Sequence, residues 1–207
     1  MALRRTQTRQ ETWGVYFRDI RCIWEVIIKA YITSIGEPTT DLCEWSIKRL
    51  GFDTHVVYNE TSSLGEKLEY IYNLADDDFI RVDADVIVNK GLLAVNEVKN
   101  MLWVQYKTFD MYKLDLTNGG VQYINKEILP TLRANISRFK HDNRPETRMF
   151  RLEEFSNRNQ FRSAENVVGI HGFGQTDWER VKKTKDSRKY SNEYDWELVR
   201  RMQEFYV

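Results

Sequence analysis

The chain has 207 residues, 42% of them hydrophobic, with 31 Lys and Arg against 31 Asp and Glu and a formal net charge of zero. That length suits one core with short decorations better than two full domains. The charge balance argues against a generally basic nucleic-acid binder, although distant acids can mask a local basic strip.

No apolar run is long enough to cross a hydrocarbon layer, and no signal-type segment follows the opening "MALRRTQTRQ". A soluble, cytoplasmic protein is therefore expected. Cys22 and Cys43 lack ligand-like partner spacing and read as buried thiols rather than a disulfide or a zinc site.

The first segment, "ETWGVYFRDIRCIWEVIIKAYITSI", mixes its periods and then becomes strand-like from Lys29 to Ile35, where β-branched residues favour extended backbone. Gly36-Glu37-Pro38 stops it. In "TTDLCEWSIKRLGF", Cys43, Ile47 and Leu50 share a helical face, with Asp41 placed to cap the start and Gly51 to close the end. "DTHVVYNET" reads as a second strand. Ser63 and Glu66 have capping-box spacing, and Leu64, Leu68, Ile71 and Ala75 continue an apolar helical stripe.

"FIRVDADVIV" follows as a third strand, so the opening part alternates strand and helix. Right-handed crossovers would then make the strands parallel, with their carboxyl ends forming a rim where ligands bind. Beyond it, "WVQYKTFDMYKL" and "GVQYIN" are predicted strands separated by "DLTNGG", and "KEILPTLRANISRF" is a predicted helix. Pro130 belongs near its first turn or kinks it. The strand-like "VVGI" runs into His171-Gly172-Phe173-Gly174, ahead of a basic stretch and a terminal helix suggested by Tyr194, Leu198, Met202 and Phe205.

The sharpest feature is Asp83-Ala84-Asp85 inside an apolar strand. In extended backbone the two acids share a face, and a turn between them could aim both at one ion. Hard divalent ions accept such oxygens together with those of phosphates and stabilise charge on a phosphate leaving group. The plain alternative is a solvated strand end. Asp76-Asp77-Asp78 reads as a solvated helix exit, since consecutive side chains do not share a face. His171 could complete a divalent shell or make a structural hydrogen bond, whereas His55 and His141 read as structural or solvent-facing.

With these residues in view, the chain resembles GT-A-type, nucleotide-sugar-dependent glycosyltransferases. "LADDDFIRVDADVIVNKGLL" resembles their helix-to-acid-x-acid segment. "YITSIGEPTTDLCEWSIKRL" and "THVVYNETSSLGEKLEYIYNLA" are similar in order to their first nucleotide-binding units, and "NGGVQYINKEIL" to a later acceptor-side strand. The likeness runs from Tyr31 to Gln175.

It implies a single GT-A-like, Rossmann-related α/β domain with a mostly parallel central sheet and helices on both faces. It also implies that Asp83 lies near the donor's ribose or diphosphate and that Asp85 contacts Mn²⁺ or Mg²⁺, with His171 as a further ligand. Glu37 and Asn59 or Glu60 would read the nucleotide, and Lys67 would approach the diphosphate. An inverting reaction would need a base, for which Asp142 and Glu146 in "HDNRPET" stand as candidates, although the family's acid pairing is absent there.

The expected organisation is an N-terminal extension over 1–28, a catalytic domain over 29–178 and a basic C-terminal segment with a helix over 179–207. The expected activity is metal-dependent sugar transfer from a nucleotide sugar to a hydroxyl acceptor, with inversion favoured over retention. Nucleotidyl transfer from a nucleoside triphosphate is the second reading, and product release separates the two. The third is a noncatalytic interaction protein using the basic "RVKKTKDSRKY", which could also touch an anionic membrane surface peripherally. That strip shows no aromatic-basic periodicity for nucleic acid.

Overall fold

A computed structural model describes residues 28–112, 115–152 and 161–174. The predicted N-terminal extension with Cys22, and the basic strip with its terminal helix, lie outside the described residues.

The elements are β1 (Lys29–Ser34), α1 (Thr40–Lys48), β2 (Asp53–Tyr58), α2 (Leu64–Leu74), β3 (Phe79–Asp83) and β4 (Val86–Val88). A 3-10 helix (Lys90–Val98), β5 (Trp103–Asp110), β6 (Asp115–Ile124), α3 (Leu129–Phe139), α4 (Pro145–Met149) and β7 (Phe161–His171) complete them. They build one mixed α/β domain on a seven-stranded sheet of order β2-β1-β3-β6-β5-β7-β4. No described helix is long and apolar enough to cross a membrane.

The sheet corrects the mostly parallel expectation. β1 pairs in parallel with β2 and β3, and β5 with β7, but β6 runs antiparallel between β3 and β5, and β4 runs antiparallel to β7. The reason lies in the path of the chain after β3. β3 cannot continue into one long strand, because the chain turns at Ala84-Asp85 and re-enters the sheet as β4 on its opposite edge. The predicted single strand "FIRVDADVIV" is therefore two, and the sheet must curl for so short a link to reach β7. "DLTNGG", expected as a connection, is the first half of β6.

Helices cover both faces, as predicted. Period-two alternation in β3 sends Ile80 and Val82 to one core with Cys43 and Ile47 of α1 and Leu92 and Val95 of the 3-10 helix. It sends Phe79 to the other, with Leu68 and Ile71 of α2, Leu132 and Ile136 of α3, and Met149 of α4.

Ser63 and Glu66 form the reciprocal capping box of α2, and Pro130 sits in the first turn of α3, where its missing amide costs nothing. At α1 the cap position is Thr39, with Asp41 in the first turn. Burial pushes the Cys43 thiol pKa far up, reinforced by Asp85, Asp83 and Glu37, so it is inert at neutral pH.

The start of α2 approaches the end of α3 closely. Ser63 Oγ donates to Lys140 O at 2.9 Å, and a β-carbon on Gly65 would fall 2.1 Å from that oxygen. Gly65→Ala should therefore prise α2 from the end of α3 and lower unfolding stability by about 1–3 kcal/mol, read as a lower urea midpoint.

Candidate functional site

Five strands, β1, β2, β3, β5 and β7, run the same way, so their carboxyl ends share one rim. Asp83, Asp110 and His171 are the last residues of β3, β5 and β7. The turn at Ala84-Asp85 binds this rim together. Ala84 N donates to Thr33 O at 3.1 Å, extending the β1 ladder, while Asp85 O accepts from Gly172 N at 2.8 Å at the end of β7. Thr39 Oγ1 secures the turn by donating to Ala84 O at 3.0 Å.

His171 lies between two carboxylates. Its Nδ1 is 3.3 Å from Asp110 Oδ2, within hydrogen-bonding reach, and its Nε2 is 3.5 Å from Asp85 Oδ1. Asp110 is also fixed from behind, since its Oδ1 accepts from Tyr112 N at 2.9 Å. A neutral imidazole donates from one nitrogen only. With Nδ1–H given to Asp110, Nε2 faces the Asp85 carboxylate, a contact that either a proton on Nε2 or a metal cation satisfies.

Asp83 is held differently. Its Oδ1 accepts from Thr33 Oγ1 at 2.9 Å and from Arg81 Nη2 at 2.8 Å. Arg81 is only 2% exposed and lies on the α2/α3 side of the sheet. Burial works against its charge, yet Asp83 and then Glu146, Tyr72 and Asp85 hold its pKa above the usual arginine value. Arg81 Nε and Nη1 have no hydrogen-bond partner among the described residues.

Opposite Asp83 stands Gly120, with φ +74°. A β-carbon there would lie 2.7 Å from Val86 Cγ2, 3.4 Å from His171 Cδ2 and 3.7 Å from Asp83 Oδ2, so the glycine keeps the space between the acid and the histidine open.

The remaining predicted residues divide. Glu37 Oε2 accepts from Ser34 Oγ and Ile35 N, both at 2.8 Å, which ties the β1–α1 loop. Asn59 Oδ1 accepts from Thr61 N and Oγ1 and from Ser62 N, while Glu60 accepts from Tyr58 Oη. Asn59 and the buried Lys67 line a cleft of about 310 Å³ with His55, Tyr58 and Tyr70 beside the edge strand β2.

Asp142 pairs with Arg148 at 3.1 Å, and Glu146 Oε2 is buried without a hydrogen-bond partner near Arg81. Asp76, Asp77 and Asp78 sit at the amino end of β3, with Asp77 and Asp78 bonded to Lys126. His55 packs edge-on to Tyr31 and stacks on Tyr70. Sequence reasoning missed Asp110 and Arg81.

Among the described residues no group of three or more His, Cys, Asp or Glu side chains is placed to hold a metal by itself. Asp85 and His171 offer two adjacent donors, which suits a hard divalent ion that completes its shell with phosphate oxygens and water.

No family model matches the chain, and no curated protein matches it. Among solved structures, HddC from Yersinia pseudotuberculosis, complexed with GMP-PN, is similar with TM-score 0.47 and 11% identity, covering 78% of this chain and 100% of that one. The 4-diphosphocytidyl-2C-methyl-D-erythritol synthase from Anaerococcus prevotii is similar with TM-score 0.46 and 13% identity, covering 87% and 98%. No residue role is carried over from either.

The two acids should respond differently to truncation. Asp83→Ala strands the buried Arg81 charge and should cost about 3–5 kcal/mol of unfolding stability. Asp85→Ala strands no buried cation and should stay within about 1 kcal/mol of the unaltered chain. Urea denaturation of both variants measures the difference.

Proposed function

We propose that the chain is a divalent-metal-dependent, nucleotide-binding transferase acting at the Asp83, Asp85 and His171 rim. The observation that carries this reading is the Nε2 of His171 facing Asp85 Oδ1 at 3.5 Å, beside a glycine-kept opening onto Asp83 Oδ2. Asp85 and His171 would hold Mn²⁺ or Mg²⁺, and the ion would neutralise charge on the substrate's phosphates as their bond to the transferred group breaks.

Asp83, already braced through Oδ1, offers Oδ2 to hydrogen-bond or orient the substrate. β2 lies two strand spacings, about 10 Å, from β3, a separation that a nucleoside diphosphate spans. Asn59, Glu60 and Glu37 at that end of the sheet are the proposed nucleoside contacts, and Lys67 the proposed cation toward the phosphates.

Two finer readings differ in the bond that breaks. Sugar transfer to a hydroxyl acceptor by inversion needs a base, and the two candidates are engaged: Asp142 by Arg148, Glu146 in the buried surroundings of Arg81. Nucleotidyl transfer onto a phosphate acceptor uses a nucleophile already ionised at neutral pH and needs no such base. That difference supports nucleotidyl transfer over sugar transfer at this site.

Purified protein should be incubated with nucleotide sugars, and separately with nucleoside triphosphates plus sugar phosphates, each with Mn²⁺ or Mg²⁺. Pyrophosphate release marks nucleotidyl transfer, and nucleoside diphosphate release marks sugar transfer. In either case Asp85→Ala should lower turnover on the order of 100-fold or more. Turnover unchanged by that substitution, or none with either substrate class, would sink the proposal.

A further inference from the structure

The geometry points to Asp110 as the positioning residue of this site: it holds the proton on His171 Nδ1, so that Nε2 is presented with Asp85 to the divalent ion. The inference rests on the metal reading of Asp85 and His171 and assigns a residue that neither the sequence pattern nor that reading requires.

Three observations carry it. Asp110 Oδ2 lies 3.3 Å from Nδ1, the nitrogen turned away from Asp85. The carboxylate is itself immobilised, since Oδ1 accepts from Tyr112 N at 2.9 Å and the side chain is 8% exposed. The strand ends are also locked to each other, with Asp110 in register with His171 and Met111 N donating to His171 O at 3.0 Å. The imidazole is thus oriented through backbone pairing, and its tautomer through one carboxylate oxygen.

A carboxylate behind a ligating histidine fixes the ring and raises the basicity of the ligating nitrogen, and losing it weakens metal affinity about 10- to 100-fold. Gly172, with φ +77°, lets Tyr112 pack against the turn that follows, since a β-carbon there would fall 2.3 Å from the Tyr112 ring. The Tyr112 ring also meets the imidazole edge-on at 6.1 Å. Asp110, Tyr112 and Gly172 together form one support for His171.

Asp110→Asn separates positioning from folding. The amide keeps an Oδ1 acceptor for Tyr112 N, but its NH₂ then faces His171 Nδ1 and donates to it, which moves the imidazole proton to Nε2. That nitrogen then points a hydrogen at Asp85 and has no lone pair for an ion.

The test uses the full chain with inorganic pyrophosphate added to supply phosphate oxygens, protein-bound Mn²⁺ being followed by electron paramagnetic resonance and the tautomer of the neutral His171 ring being read from ¹⁵N chemical shifts without metal. The unaltered chain should bind Mn²⁺ and carry its proton on Nδ1. Asp110→Asn should bind about 10- to 100-fold more weakly and carry it on Nε2, at an unchanged urea midpoint. Asp85→Ala should lose Mn²⁺ binding yet keep the Nδ1 proton.

If Asp110→Asn matches the unaltered chain in affinity and tautomer, the positioning role is overturned while the metal reading stands. If the unaltered chain binds no Mn²⁺, the metal reading falls, and the role assigned to Asp110 falls with it.

Discussion

Everything at the rim depends on a change of hydrogen-bonding partner between two adjacent residues. Ala84 still belongs to the ladder of β1, through Thr33 O, whereas Asp85 already belongs to β7, through Gly172 N. A chain that changes ladders within one peptide leaves the sheet no freedom to lie flat. β3 and β7 are separated by β6 and β5 in the sheet order, so the sheet curls until the carboxyl ends of β3, β5 and β7 converge. α1 braces the change from outside, with Thr39 Oγ1 on Ala84 O and Ser46 Oγ accepting from Val88 N. The apolar residues on either side, Val82 and Val86, are fully buried and anchor the turn on both flanks.

The same change of ladder gives two acids one residue apart unlike surroundings. Asp83 ends a central strand and inherits that strand's buried charge, Arg81, together with Thr33 from the neighbouring strand. Asp85 faces the β7 end and meets His171. One carboxylate is compensated within the fold by a fixed cation, and the other meets an imidazole that is charged only if protonated. A buried arginine is costly without full pairing, and here two of its nitrogens have no partner among the described residues. Such departures from polar satisfaction are tolerated where a site needs a fixed charge.

Much of this was legible in local chemistry. The strand-helix alternation from Lys29 to Val88, the capping box at Ser63 and the first-turn proline at Pro130 are local signals, and the structure follows them. Asp85 and His171, both named from the sequence, stand 3.5 Å apart at neighbouring strand ends marked by turns. Strand direction was not legible. Whether β6 runs with or against β3 depends on a connection through β4, the 3-10 helix and β5, and apolar periodicity carries no information about direction. Asp110 was missed for a related reason: "WVQYKTFDMYKL" reads as one continuous strand, and only the structure ends it at Asp110. Its signal was present, since "KTFD" closes a strand with an acid as "IRVD" does.

Arg81 shows the opposite failure. In the sequence it is the one cation of "FIRVDADVIV", and nothing in that pattern marks it as buried. In the structure its neighbours across the sheet are Tyr31 and Gln122, and α2 and α4 close over it with Tyr72 and Glu146. The guanidinium is 2% exposed, and among the described residues its hydrogen bond goes to Asp83. The acid is thereby drawn to its inner oxygen, which leaves Oδ2 as the atom facing Gly120 and the rim. The orientation of the candidate substrate-facing oxygen is thus set from beneath the sheet, by the buried Arg81 guanidinium.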